Sequence, residues 1–185
     1  NKEIEVLKFT KQDSIEQLKD FIKKADFVIH LAGINRPKEI TEFNKGNVSF
    51  TKTLLNIIKE ENRKVPVLLS SSIQAELDNP YGISKREAEN LVRKYGQETD
   101  TKVFIYRLPN VFGKWCRPNY NSAVATFCYN ISHDLPIKVN DPNVVMKLVY
   151  IDDVIKEFIN ALKGKANNIN EFCEVPVVYT VKLGK

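Results

Sequence analysis

The stretch VPVLLSSSIQAELDNPYGISK, residues 65–85, joins an apolar run to a helix start and carries three serines, a tyrosine and a lysine. Residues 65–69 are predicted to form a strand leading into Ser70–Ser72, and open α/β sheets hold ligands at the carboxyl ends of their strands. Tyr81 and Lys85 are four residues apart, so in a helix they share one face, where the ammonium can stabilise a phenolate. A tyrosine alone, with a pKa of about 10, is a poor proton donor at neutral pH. The pattern indicates either a proton-transfer site or an ordinary solvated pair, since Tyr-x-x-x-Lys also occurs by chance.

Strand-like and helix-like segments alternate along the rest of the chain. This alternation predicts an α/β fold with a parallel sheet and helices on its faces. The apolar run at 27–31 is typical of a strand buried on both faces. Further strands are predicted at 5–9, 103–106, 137–139, 144–150 and within the tail 176–185, and helices at 14–24, 44–60, 78–96, 122–132 and 152–162. We expect one domain over residues 1–185.

Composition excludes several classes of function. The net charge is +5, but the lysines are spread through the predicted helices, so no nucleic-acid partner is expected. No apolar run is long enough to span a membrane, so no membrane role is expected either. The three cysteines have no Cys-x-x-Cys spacing, which favours neither disulfides nor a metal site and fits a reducing cytoplasm. Positive charge also suits an anionic ligand such as a nucleotide diphosphate.

Six motifs in order give the chain a family resemblance. It is similar to the extended short-chain dehydrogenase/reductase family at Asp26–Gly33, Gly46–Val48, Ser70–Ser72, Tyr81–Lys85, Arg107–Gly113 and Val149–Val154. Within that family it resembles the bifunctional capsular polysaccharide enzymes, which join a nucleotide-sugar reductase domain to a C-terminal cupin domain. The segments that carry this closer resemblance are His30–Pro37, Ser71–Ala75, Asp78–Gly82 and Gly113–Asn121.

The resemblance implies a Rossmann-like, doubly wound parallel sheet, with a small C-terminal substrate-binding region mainly within 110–185. The family's first strand and Gly-rich phosphate loop have no counterpart, because no two of the glycines at 33, 46, 82, 96, 113, 164 and 184 are close enough to build that loop. We therefore expect the sequence to be an N-terminally incomplete part of a native protein that also carries a cupin domain. By the same resemblance, a homodimer is expected.

The resemblance also implies roles for individual residues. Tyr81 is expected to protonate a sugar keto oxygen, with Lys85 lowering its pKa and binding the nicotinamide ribose, and Ser72 donating a hydrogen bond to the same oxygen. Lys11 matches the position that holds a 2′-phosphate, which favours NADP(H), with NAD(H) possible. Other residues expected at the cofactor are Leu31, Ala32, Gly33, Ser70 and Pro109, and those expected at the substrate are Asn110, Arg117 and Lys147.

Two other polar residues lie inside the predicted elements. His30 interrupts an apolar strand, where a hydrogen-bonded core histidine is the usual explanation. Asn47 is expected either to order the backbone of the site or to lie on a helix face with no special role.

The resemblance predicts reduction of the 4-keto group of a UDP-linked 2-acetamido-2,6-dideoxy sugar, for capsular or other surface polysaccharide synthesis. A nucleotide-sugar epimerase remains an alternative, because it uses the same tyrosine. A dehydratase is disfavoured, because Ser72 is followed by Ile73 and Gln74 instead of the acidic pair that water elimination requires. A non-catalytic cofactor-sensing domain is the remaining alternative.

Overall fold

A computed structural model describes residues 4–184. The chain divides into two compact units, Asn1–Ile105 and Tyr106–Lys185. Strand β3 (Val103–Leu108) passes from the first unit into the second. The expectation of one domain, with the substrate-binding elements mainly within 110–185, stays a prediction.

The first unit alternates strands and helices. Its elements are α1 (Ile15–Lys24), β1 (Val28–His30), α2 (Thr41–Phe43), a π-helical segment (Asn44–Ser49), α3 (Phe50–Glu60), β2 (Val67–Ser72), a 3-10 turn (Ile73–Glu76), α4 (Pro80–Thr99) and the start of β3. Strands β1 and β2 are parallel, with Val28 opposite Val67 and His30 opposite Leu69. Parallel strands end at the same sheet edge, so the segments after β1 and β2 are neighbours.

Two helices of this unit begin where the sequence predicts. The Ser14 side chain accepts a hydrogen bond from the Gln17 N–H and starts α1. The Asn79 side chain accepts from the Gly82 N–H, and Pro80 occupies the first turn of α4. Helix α4 continues to Thr99, three residues beyond the predicted end at Gly96, and stops where Asp100 adopts a left-handed conformation.

Three local predictions are wrong. Residues 5–9 form no strand, and neither do residues 137–139. No strand in the described range 4–184 pairs with either segment, and an unpaired strand leaves its backbone groups to water. Strand β1 is not buried on both faces, because Ile29 is 44% exposed while His30 on the other face is buried. The predicted helix at 44–60 begins as a π-helical segment, which widens the turn around Asn47.

The core of the first unit lies between β2 and its helices. Val67, Leu68 and Leu69 are buried on both faces of β2, as the apolar run predicts. Helix α3 packs Ile58 and its apolar neighbours into this core, and α4 packs Val92. The Tyr95 hydroxyl donates to the Val65 carbonyl at 2.8 Å, which ties α4 to the chain just before β2.

The second unit contains the end of β3 and the remaining elements. These are β4 (Asn110–Phe112), α5 (Ala123–Ser132), β5 (Val145–Tyr150), α6 (Ile151–Leu162), β6 (Asn168–Ile169), β7 (Phe172–Cys173) and β8 (Tyr179–Lys182). Strands β4 and β5 are parallel, and β8 adds antiparallel to β5. Strand β7 pairs with the end of β3 at Tyr106, and β6 pairs with β7.

The sequence prediction missed β6 and β7, whose two residues each are too short to give a period-2 pattern. The predicted tail strand is confirmed at Tyr179–Lys182, whereas Lys185 lies outside the described residues. Within residues 4–184, no helix has the length and apolar character that a membrane span requires.

Replacing Gly82 with alanine should destabilise the first unit. A Cβ at this position would lie 2.3 Å from the Gln74 carbonyl oxygen and 2.4 Å from that of Leu77. Both are backbone atoms, so the 3-10 turn and α4 would have to separate, at a cost of about 1–3 kcal/mol. Urea unfolding of Gly82→Ala should show this loss, and Glu87→Ala, an exposed change on the same helix, should not. Equal stability of the two variants would contradict the close approach.

Candidate active site

A cleft of about 150 Å³ lies at the shared carboxyl edge of β1 and β2. This is the position where parallel α/β sheets bind ligands. Its walls are formed by Leu31, Gly33, Ile34, Asn35, Asn47, Ser70, Ser71, Tyr81 and Lys85. Residues of the sequence prediction from the β1 loop, from β2 and from α4 therefore meet around one cavity.

The three serines belong to β2 itself, whereas the prediction ended the strand at Leu69. Successive side chains of a strand point to opposite faces, so Ser70 and Ser72 share one face and Ser71 the other. Ser71 is buried and its hydroxyl donates to a Glu89 carboxylate oxygen at 2.5 Å. Ser72 accepts from the Gln74 N–H at 3.2 Å and shares a hydrogen bond with Tyr81. The alternation therefore directs Ser71 into the interior toward Glu89, while Ser72 lies on the opposite face beside Tyr81.

Lys85 is only 6% exposed, and its ammonium donates to the Ser70 carbonyl oxygen at 2.7 Å. Burial lowers the Lys85 pKa to about 8, although the negative charge of Glu89 opposes that shift. At neutral pH the side chain is therefore still mostly charged. A cation is fixed beneath the end of β2, one helical turn after Tyr81.

Burial raises the pKa of Tyr81, and the hydrogen bond from Ser72 opposes this only in part. The pKa-lowering role expected of Lys85 stays a prediction. Burial dominates this pKa, and the Lys85 ammonium is hydrogen-bonded to the Ser70 carbonyl. The phenol is consequently protonated at neutral pH, which is the state that a proton donor requires. Its ring also packs against Phe43, with ring centroids 5.6 Å apart.

Asn47 orders the backbone of the cleft, the first of the two expectations for this residue. Its side-chain oxygen accepts from the Ile34 N–H at 2.7 Å, and its amide nitrogen donates to the Ile34 carbonyl at 3.0 Å and to the Ser84 hydroxyl at 2.9 Å. Ser84 in turn donates to the Tyr81 carbonyl at 2.8 Å. A Cβ on Gly33 would lie 3.0 Å from the Asn47 oxygen, so the absent side chain makes room for this bridge.

His30 is a hydrogen-bonded core residue, as predicted. Its Nε2 lies 2.8 Å from the Thr51 hydroxyl, and that hydroxyl donates to the Asn47 carbonyl at 2.6 Å. Because the Thr51 proton is used there, His30 carries its proton on Nε2 and donates it to Thr51. Burial, assisted by the charge of Lys85, lowers the His30 pKa to about 4, so the ring is neutral at physiological pH.

Of the other residues expected at a cofactor, Leu31, Gly33 and Ser70 line the cleft. Ala32 is exposed beside them in the β1 loop. Lys11 is exposed in a turn that Asp13 holds by accepting bonds from the Thr10 N–H and hydroxyl, and it is not among the residues that line the cleft.

The remaining expected residues belong to the second unit. Pro109 lies between β3 and β4, and Asn110 begins β4. The Asn110 amide donates to the Lys147 carbonyl at 3.3 Å, so the structure brings these two residues together on adjacent strands. Arg117 is exposed in the loop after β4. Their roles at the substrate stay predictions.

Sequence reasoning missed Thr51, Ser84 and Glu89. Thr51 and Ser84 had no signal, because their partners are far away in sequence. Glu89 did have a sequence signal, because it continues the four-residue spacing of Tyr81 and Lys85 by one more helical turn.

The sequence is similar to known proteins over most of its length. The sequence matches the NAD dependent epimerase/dehydratase family over residues 2–172. It is 47% identical over 182 residues to the UDP-2-acetamido-2,6-beta-L-arabino-hexul-4-ose reductase of Pseudomonas aeruginosa, a match that covers 98% of this chain and 49% of that protein.

Solved structures with a similar fold include the following two proteins. The capsular polysaccharide assembling protein CapF from Staphylococcus aureus superposes with a TM-score of 0.83 at 49% identity, over 94% of this chain and 47% of CapF. A Bacillus cereus UDP-glucuronic acid 4-epimerase, solved with NAD, superposes with a TM-score of 0.78 at 23% identity, over 90% of this chain and 59% of that one. The α/β fold prediction is confirmed, and the chain spans about half the length of the P. aeruginosa reductase and of CapF.

His30 should make stability depend on pH. The folded pKa of His30, about 4, lies below the unfolded value of 6.5. The contribution of the neutral ring to the free energy of unfolding is therefore complete above pH 6.5 and is lost as the pH falls toward 4. Between pH 7.5 and 5 this loss amounts to about 2 kcal/mol. His30→Gln should therefore lose less unfolding free energy over that interval than the unaltered protein, as measured by urea titration at each pH.

The chain provides a matched control in its other histidine, His133, which is exposed. His133→Gln should keep the full pH dependence. If His30→Gln and the unaltered protein lost stability in parallel, His30 would not be the group that titrates.

Proposed function

This chain belongs to the NAD dependent epimerase/dehydratase family, and on that premise we propose that the intact protein reduces the 4-keto group of a UDP-linked 2-acetamido-2,6-dideoxy sugar with NADPH. The observation that carries the proposal is the cleft at the carboxyl edge of β1 and β2, where the Tyr81 hydroxyl and the Lys85 ammonium lie one helical turn apart and Ser72 hydrogen-bonds to the phenol. A hydroxyl proton and a second hydroxyl donor beside it suit a carbonyl oxygen that gains negative charge.

In the proposed reaction Tyr81 transfers its proton from Oη to the sugar 4-oxygen. Ser72 donates a hydrogen bond to the same oxygen and stabilises its developing charge, as an oxyanion-hole donor does. Lys85 remains at the Ser70 carbonyl and places a positive charge near the phenolate that proton transfer leaves behind. The burial that raises the Tyr81 pKa keeps the acid protonated until substrate arrives.

The cleft has the donor set that a nicotinamide nucleotide requires. Lys85 and Tyr81 present an ammonium and a hydroxyl to ribose hydroxyl groups, and Leu31 leaves apolar surface exposed beside Gly33. When bound, the reduced nicotinamide supplies hydride to the carbonyl carbon. We assign Leu31, Ala32, Gly33, Ser70 and Pro109 to the same cofactor. We assign Lys11 to a 2′-phosphate, because it is a cation on an exposed, ordered turn, and this favours NADPH over NADH.

The substrate assignment is supported by likeness to the P. aeruginosa reductase, whose name specifies a UDP-linked 2-acetamido hexul-4-ose, which is a 4-keto sugar. The likeness to CapF supports a place in capsular polysaccharide synthesis. We assign Asn110, Arg117 and Lys147 to the sugar diphosphate. We further propose that the intact protein is a cytoplasmic homodimer and carries a C-terminal cupin domain.

An epimerase is the second candidate, and the family name favours it. A 27% identical stretch of 109 residues in a putative UDP-glucose 4-epimerase of Methanocaldococcus jannaschii also favours it, over 52% of this chain and 36% of that protein. An epimerase must first remove a proton from a sugar hydroxyl, for which a phenol with a raised pKa is poorly suited. Reduction needs the protonated phenol, and the likeness to the P. aeruginosa reductase covers 98% of this chain at 47% identity, so we favour the reductase.

Replacing Tyr81 with phenylalanine should lower kcat of the intact protein by about two to four powers of ten, as expected for loss of a general acid. The ring and its contact with Phe43 would remain, so the fold should not change. Turnover of a UDP-4-keto sugar measures the effect. Tyr129→Phe, the same change on an exposed tyrosine, is the control and should retain full activity. Full activity in Tyr81→Phe would remove this residue from the mechanism.

The stoichiometry of cofactor use should separate the two candidate reactions. A reductase oxidises one NADPH for each sugar reduced, whereas an epimerase or dehydratase regenerates its cofactor and shows no net consumption. We expect the loss of absorbance at 340 nm to equal the sugar product measured by chromatography. Product formation without net oxidation of NADPH would defeat the reductase assignment and leave the fold unchanged.

A further inference from the structure

Glu89 is a buried charge that the proposed reaction does not use. It lies on α4, where Tyr81, Lys85, Glu89 and Arg93 follow one another at four-residue spacing and so share one face of the helix. The Glu89 side chain is 0% exposed. A carboxylate removed from water costs several kcal/mol unless nearby groups compensate it, so its partners show what it does.

The contacts described for the Glu89 carboxylate include groups on β2 and on α4. The Ser71 hydroxyl donates to Oε1 at 2.5 Å, across from β2. The Arg93 guanidinium lies 3.6 Å from Oε2, one turn farther along α4. One turn in the other direction is Lys85, whose positive charge the Glu89 carboxylate stabilises. Glu89 therefore links the lysine of the cleft to the middle serine of β2.

The hydrogen bond between Glu89 and Ser71 affects the position of the groups that the proposed reaction uses. Ser71 lies between Ser70, whose carbonyl accepts from Lys85, and Ser72, which bonds to Tyr81. A hydrogen bond that fixes Ser71 therefore also fixes its two neighbours, because the strand backbone connects them. The same carboxylate acts on the Lys85 charge.

We propose that Glu89 is a positioning residue, whose buried carboxylate, held by Ser71 and Arg93, keeps the Lys85 ammonium charged and seated against the end of β2. The importance of this role for turnover rests on the proposed reductase function. The residue itself touches neither substrate nor cofactor.

Other ionisable groups also face Lys85. On α4 itself Tyr81 precedes it, and the Tyr81 phenol is neutral at physiological pH because its pKa is raised. From β1 the His30 ring faces it, and this ring is neutral above about pH 4. In the physiological range neither side chain carries a charge that would oppose or replace the effect of Glu89.

The test is an NMR titration of Lys85 in the intact protein without cofactor or substrate. Lysine is labelled with 13C at its ε carbon, and the Lys85 signal is identified by its loss in Lys85→Met. Glu89→Gln keeps the shape of the side chain and an oxygen that can accept from Ser71, but removes the charge. The Lys85 titration midpoint should fall by about one pH unit, as expected for loss of an adjacent opposite charge.

Two further variants distinguish charge from shape. Glu89→Asp keeps the carboxylate and should restore most of the midpoint. Glu87→Gln makes the same chemical change at an exposed position two residues away, and should leave the midpoint at its original value. If Glu89→Gln titrated like Glu87→Gln, the proposal would be overturned, even if Glu89→Gln were also less stable.

Activity gives a second readout that depends on the proposed function. A fall of the midpoint from about 8 to about 7 lowers the charged fraction of Lys85 at pH 7.5 about threefold. The alkaline limb of the kcat profile should shift to lower pH in Glu89→Gln and return in Glu89→Asp. If no turnover is found but the midpoint shifts, the reductase proposal fails and the Glu89 proposal stands. If turnover is found and the midpoint does not shift, the Glu89 proposal fails and the reductase proposal stands.

Glu89→Gln leaves Arg93 without this carboxylate and could fail to fold for that reason alone. In that case the double variant Glu89→Gln/Arg93→Gln removes both charges together and keeps the Lys85 titration measurable. The same downward shift is expected, and an unchanged midpoint would overturn the proposal.

Discussion

The hydrogen bond from the Lys85 ammonium to the Ser70 carbonyl is the constraint around which the cleft is arranged. A cation that is 6% exposed must be compensated, because burial in a low-dielectric interior disfavours the charged form. The carbonyl on β2 and the carboxylate of Glu89 on α4 provide that compensation. Helix α4 is thereby fixed against the end of β2. Tyr81, one turn before Lys85, is placed beside Ser72 as a result.

A second set of hydrogen bonds, centred on Asn47, joins the other elements that line the cleft. Asn47 joins the loop after β1 to α4, since its side chain bonds both backbone groups of Ile34 and the Ser84 hydroxyl. Its own carbonyl accepts from Thr51, which His30 holds in turn. These groups satisfy one another inside the protein, where an unpaired polar atom would be costly. The π-helical turn at Asn44–Ser49 places Asn47 in this bridge.

Much of the local structure followed from residue pattern. Ser14 and Asn79 marked the starts of α1 and α4, because a side chain that accepts from an N–H of the first turn is needed there whatever the fold. The apolar run before Ser70 gave a strand buried on both faces. The same reasoning failed at residues 5–9 and 137–139, which are rich in apolar residues but have no described strand that pairs with them. A strand exists only with a partner, and pairing is not a local property.

The sequence by itself determined that Tyr81 and Lys85 share a helix face, and that three serines follow an apolar strand at the ligand edge of the sheet. Both follow from helix and strand periodicity. Only the tertiary structure decided that Ser71 turns toward Glu89 while Ser72 meets Tyr81, and that Lys85 bonds a carbonyl instead of the phenol. It also decided the direction of the Tyr81 pKa, which rises. Burial and the distances between groups far apart in sequence set a pKa, and these exist only once β1, β2 and α4 have packed together.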